Sequence, residues 1–257
     1  QANIINKKIH WLQTTAKSNW HLQPQTLENV CQKIQNKNKL LILNSPNNPS
    51  GTVHENLKAL ASVAKKYDVI IIADEIYAEL DFTGEYKSIA HFYPEGTIIS
   101  SGLSKWCGAG GWRLGTLIFP NELDEIKQTL HSLASETFTA VSAPIQYGAL
   151  AAFENFEEIR PRIDQCCDIH SLAGSYLHRR FIKMNLNCPK PEGAFYLFPD
   201  FQNHQTKLNQ RDISDCAQLT ENLLVNAKVA VLPGNDFYMD SKKNLVFFDF
   251  IKFIFKF

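Results

Sequence analysis

No surplus of charge marks this 257-residue chain: 26 Lys and Arg balance 26 Asp and Glu. That balance argues against a nucleic-acid or membrane-surface partner and leaves a small molecule as the expected one. Cys31, Cys107, Cys166, Cys167, Cys188 and Cys216 form no CxxC pair, so neither a zinc site nor a disulfide framework is suggested. The eight histidines contain no HExxH, which removes the zincin reading. No apolar run is long enough to span a bilayer and no signal peptide is found. A reduced cytoplasmic compartment is the expectation. Internal repeats and low-complexity linkers are lacking too, and so is an initiating Met. The opening "QANIINKKIHW" therefore reads as a fragment or a processed product.

What is present is an ordinary globular composition, 44% apolar and 20% charged, with enough chain for one large domain or two modest ones. Short apolar runs at 40–44, 68–73, 97–101 and 114–119 read as buried strands. "HENLKALASVAKKY" places Leu57, Leu60, Ala61 and Ala64 at helical spacing. Such alternation predicts an α/β fold with a mainly parallel sheet. From residue 121 the pattern turns helical. One helix, a break and a long helix are expected over 142–181, with Pro161 in the first turn of the second. A smaller α+β unit follows, so the expected division is a large domain over 1–160 and a small one over 161–257. The closing "NLVFFDFIKFIFKF" is dominated by Phe, Ile and Lys and is expected to be truncated or aberrant after about residue 246.

Ligands of open α/β sheets bind beyond the carboxyl ends of the strands. Three successive strands here deliver polar groups at that edge. The first brings Asn44, Asn47 and Asn48, the second Asp74 and Tyr77, and the third Ser101, Ser104 and Lys105, with Arg113 shortly after. Each has a plain alternative. "NNPSG" also suits a simple turn, Asp74–Glu75 a helix cap, and Tyr77 a core aromatic. Lys105 alone is most often a solvated charge. Gly108, Gly110 and Gly111 lack the GxxxxGK[ST] ending of a phosphate loop, so a nucleotide binder using "GAGG" has little behind it.

Their order carries more than any member. "NSPNNPSG", "DEIY", and "SK" followed eight residues later by Arg in "GWRLG" resemble the class I/II aminotransferases, fold-type I pyridoxal-phosphate enzymes. "PEGAFYLFPD" and "VAVLPGNDF" resemble later signatures of the same family. The likeness runs from about residue 1 to about 246. It implies a cofactor, pyridoxal 5'-phosphate, held by Lys105 as an internal Schiff base, with Lys105 also the general acid–base. Asp74 matches the carboxylate on the pyridinium nitrogen, and Asn48 and Tyr77 match the groups on the ring hydroxyl. Arg113 matches the guanidinium on the phosphate, with Ser101 or Ser104 reaching the same group.

The implied reaction is transamination between an amino acid and a 2-oxo acid, in a homodimer. A β-lyase on the same scaffold and a non-catalytic remnant are the alternatives. Three features depart from the family pattern. Gly102 stands where many members have a serine, and the stretch upstream of residue 1 is missing. The arginine for the substrate carboxylate does not follow "VAVLPGNDF"; Lys252 offers a charge but no bidentate fork. The tail is expected to be a read-through of another frame or an assembly error. Tyr86, in "LDFTGEYKSIAHF", is read either as lining a substrate entrance or as a solvent-facing loop aromatic.

Overall fold

The computed structural model describes residues 6–34, 38–237 and 246–249. The tail expected to be aberrant after about residue 246 lies, beyond Asp249 and with Lys252, outside the described residues.

Four strands form the larger sheet: β1 (Lys39–Asn44), β2 (Val69–Asp74), β3 (Thr97–Gly102) and β4 (Gly115–Ile118), in that spatial order. β1, β2 and β3 run parallel and β4 returns antiparallel to β3. The expected parallel sheet is therefore present with one reversed edge strand. Helices α1 (Pro24–Lys33) and α2 (Leu57–Lys66) cover one face. Pro24 opens α1, where its missing N–H costs nothing. Leu57, Leu60, Ala61 and Ala64 of α2 are buried, as the spacing predicts. They meet Leu41, Leu43, Val69, Ile71 and Ala73 in one apolar core. On the other face Leu40 and Ile42 remain 59% and 67% exposed.

Three helices follow: α3 (Asp124–Thr137), α4 (Ala143–Glu154) and α5 (Phe156–Lys183). The predicted break falls at Asn155, but Pro161 sits inside α5 rather than in its first turn. Its ring deprives the Glu157 carbonyl of a helical donor. Glu157 is exposed, so water can take that place.

A second sheet has the order β5 (Tyr196–Leu197), β7 (Val246–Asp249), β6 (Leu232–Pro233), all antiparallel. Between them lie α6 (Gln205–Asn209) and α7 (Cys216–Ala227). The Asp215 carboxylate caps α7 by accepting from the Gln218 N–H at 2.9 Å. Phe195, Tyr196, Leu197 and Phe198 form an apolar core with Phe181, Leu219 and Val246, and Tyr77 and Leu80 from beyond β2 belong to it. That shared core brings the "DEIY" turn and the "PEGAFY" segment into contact.

Candidate active site

Strand register sets the first alignment. Asn44 pairs with Asp74 and Asp74 with Ser100, so three parallel strands end level and present their polar residues at one edge. The Asn44 carboxamide joins two of them. Its Nδ2 donates to the Asp74 carbonyl at 3.0 Å, and its Oδ1 accepts from the Asn48 N–H at 2.7 Å. Asn47 closes the turn by accepting from Ser50 Oγ at 2.8 Å.

The same turn is docked from the far side. Gly51 has φ +71°, and a Cβ there would stand 2.6 Å from the Tyr196 carbonyl oxygen. Only glycine gives both that backbone and that approach. The Gly51 carbonyl accepts from the Glu192 and Gly193 N–H groups at 2.7 and 3.0 Å. The Glu192 carboxylate accepts from the Val53 N–H at 2.8 Å. "NSPNNPSG" and "PEGAFY" thus form one interlocked unit.

Lys105 stands in a loop anchored by Leu103 and Trp106, both buried. Trp106 packs against Phe153 and Phe156 at 5.7 and 5.5 Å between ring centroids. The Lys105 Nζ lies 5.3 Å from the Tyr77 ring centroid and 5.4 Å from that of Phe195. Aromatic faces attract an ammonium and shield it partly from water. Its charge also acts on Asp74. Burial pushes the Asp74 carboxyl above its usual range, opposed by the Ile76 N–H and by Lys105.

Tyr77 is 3% exposed, and its hydroxyl lies 2.5 Å from that of Tyr196. The sequence offered no local sign of this partner. Ser101 lies one residue before the end of β3, opposite Thr116, with Ser104 in the loop beyond, both half-buried. Arg113 is exposed, in the left-handed region at φ 55°. One guanidinium N–H donates to the Gly110 carbonyl at 2.8 Å, which uses one of its five donors. The structure thus gathers Asn48, Asp74, Tyr77 and Lys105 around the strand ends, with Ser101 and Ser104 on the flanking segment. Arg113 lies farther along the chain at the surface. At Gly102 a Cβ would meet the Leu114 carbonyl oxygen at 2.6 Å, so β4 leaves no room for the serine of the family pattern.

Tyr86 is half-buried, which sets aside the solvent-facing reading. Its hydroxyl turns inward and donates to the Ser45 carbonyl at 3.1 Å. Beside it the Glu75 carboxyl accepts from Ser88 Oγ at 2.5 Å. Burial raises both the Tyr86 phenol and the Glu75 carboxyl above their usual ranges. The pair props the turn from beneath.

Two observations bear on whether the expected cofactor fits. Asn48 Oδ1 is buried without a hydrogen-bond partner, as a side chain awaiting a ring hydroxyl would be. Asp74 is a desolvated carboxylate for which a protonated ring nitrogen supplies the missing charge. The residues fit the group.

Comparison with known proteins agrees. The family model described as aminotransferase class I and II matches residues 4–245. The aspartate aminotransferase of Bacillus subtilis (strain 168) is 31% identical over 92% of this chain and 59% of its own length. That of Geobacillus stearothermophilus is 34% identical over 82% of this chain and 53% of its own. A Thermus thermophilus aspartate aminotransferase tetra mutant superposes with a TM-score of 0.84 at 28% identity, covering 96% of this chain and 64% of that one. The chain therefore spans little more than half the length of the curated relatives it matches.

Proposed function

Because the chain belongs to the class I and II aminotransferases, we propose that it uses pyridoxal phosphate to move an amino group from an amino acid to a 2-oxo acid. The family is pyridoxal-phosphate-dependent. Bound at this edge, the cofactor supplies an electron sink for the electrons left when Cα loses its proton. Lys105 Nζ is the covalent anchor and the base that takes this proton. Asp74 keeps a positive charge on the ring nitrogen, and Asn48 and Tyr77 hold the ring hydroxyl. Arg113, Ser101 and Ser104 bind the phosphate. Asn44 positions Asn48 and the Asp74 strand end through its two hydrogen bonds.

One observation carries this reading: the Lys105 Nζ, from beyond β3, lies 5.3 Å from the ring centroid of Tyr77, which follows Asp74 at the end of β2. Aspartate is the first amino donor to test, since the relatives are named for it. A cytoplasmic setting is part of the proposal; among the described residues no helix is long and apolar enough to cross a membrane. A homodimer is part of the proposal. Tyr147, Leu150 and Phe153 of α4 are exposed and offer an apolar surface to a second subunit. The proposed division into two domains near residue 160 falls within α5.

The test is spectroscopic. The protein mixed with pyridoxal phosphate should take up visible colour, and borohydride should bleach it and fix the cofactor's mass on Lys105. Lys105→Ala should stay colourless. With aspartate and 2-oxoglutarate, amino exchange is expected; pyruvate and ammonia from a sulfur-containing amino acid would mean elimination instead. Protein that takes up no cofactor would overturn the reading.

A further inference from the structure

Away from Lys105, two buried histidine rings meet where segment 20–22 contacts segment 54–56. His21 and His54 are 8% and 6% exposed. Their ring centroids lie 5.4 Å apart with planes at 60°. His21 Nε2 and His54 Nδ1 have no hydrogen-bond partner, and neither do Trp20 Nε1 and Asn56 Oδ1. Buried nitrogens and oxygens are costly to leave unpaired, so such a cluster calls for an occupant.

The junction is already assembled by other bonds. Asn56 Nδ2 donates to the Leu22 carbonyl at 2.8 Å, and the His54 backbone N–H donates to Ser45 Oγ at 3.2 Å. The histidine rings are therefore brought together without using the two unpaired nitrogens.

We propose that His21 and His54 form a two-imidazole site for a borderline transition-metal ion such as Zn2+, with water filling the remaining positions. A tetrahedral ion with nitrogen ligands at about 2.0–2.1 Å holds two imidazole centroids about 5 Å apart. The observed 5.4 Å matches that span. Among the described residues no three His, Cys, Asp or Glu side chains cluster as metal ligands. The site is thus open, with fewer strong ligands than a closed structural zinc site. Its effect is a cross-link between segment 20–22 and the chain that leaves the Asn48 turn, because His54 ends on Ser45 at the start of that turn. Metal binding to the folded form alone stabilises it by mass action.

The experiment titrates Co2+, and then Zn2+ in competition, into the whole chain without cofactor. One equivalent of Co2+ should bind with visible d–d bands and no thiolate charge-transfer band, a necessary control because six cysteines are free. His21→Gln and His54→Gln should each weaken binding at least tenfold. Should either variant unfold, Cu2+ spin resonance on the unsubstituted protein is the second measurement, and splitting by two imidazole nitrogens is expected. No binding, a thiolate band, a copper spectrum without those nitrogens, or unchanged affinity in both folded variants would overturn the proposal.

Discussion

The hydroxyls of Tyr77 and Tyr196 meet at 2.5 Å in the interior, across a separation of 119 residues. Through this contact the second sheet sets the aromatic ring beneath which, at 5.3 Å, the Lys105 amine is held. Tyr196→Phe keeps the ring and removes the hydroxyl. It should lower stability by about 0.5–1.5 kcal/mol, the usual net worth of one hydrogen bond, as read from the urea midpoint. In the cofactor-bound protein the visible spectrum should shift its pH dependence, because Tyr77 loses the neighbour that orients its phenol. A spectrum that titrates as before would mean that Tyr196 serves packing alone.

Asn44 is the second lever. Asn44→Ala deletes the bonds to the Asp74 carbonyl and from the Asn48 N–H. Stability should fall by about 1–3 kcal/mol. Pyridoxal phosphate should bind roughly tenfold more weakly, which corresponds to about 1.4 kcal/mol. Fluorescence titration of the cofactor measures the second effect separately from the first.

His54 predicts a pH dependence whose sign is unambiguous. Burial first, and His21 second, lower its pKa from 6.5 to about 4. The unfolded chain therefore binds a proton that the folded chain refuses between those values. In metal-free protein the stability from the neutral ring is complete above about 6.5 and lost as pH falls towards 4. The full loss is of the order of 3 kcal/mol. Urea midpoints over this window should slope downward with acid in the native chain, and His54→Leu should flatten the slope.

Gly102 sets the family pattern against this fold. Restoring the family's residue with Gly102→Ser places a Cβ 2.6 Å from the Leu114 carbonyl oxygen. Overpacking of that kind costs about 1–3 kcal/mol. A drop in melting temperature is expected, with no gain in cofactor affinity. Tighter cofactor binding at unchanged stability would show that β4 can yield to admit the side chain.

Much of the site was legible because strand ends are local events. Asp74 follows five apolar residues of β2, and Lys105 follows β3 by three positions. Apolar run lengths and turn residues therefore locate both. The helical face of α2 was equally plain, since burial follows its 3.6-residue period. Pro161 was misplaced by a turn because helix starts are set by the tertiary cover of Phe156 as much as by proline preference.

Sequence alone determined the order of the candidate groups and their place at strand ends, because apolar runs and turn residues are local features, while the resemblance carried by "NSPNNPSG", "DEIY" and "GWRLG" is what implies their roles. Tertiary structure decided which side chains support them. Tyr196 beside Tyr77, Gly51 against the Tyr196 carbonyl, Tyr86 beneath Ser45 and His21 facing His54 all join segments remote along the chain. Such contacts leave no periodicity to read. They exist because burying an apolar core carries along the polar groups attached to it, and each must then find a partner in the space that remains.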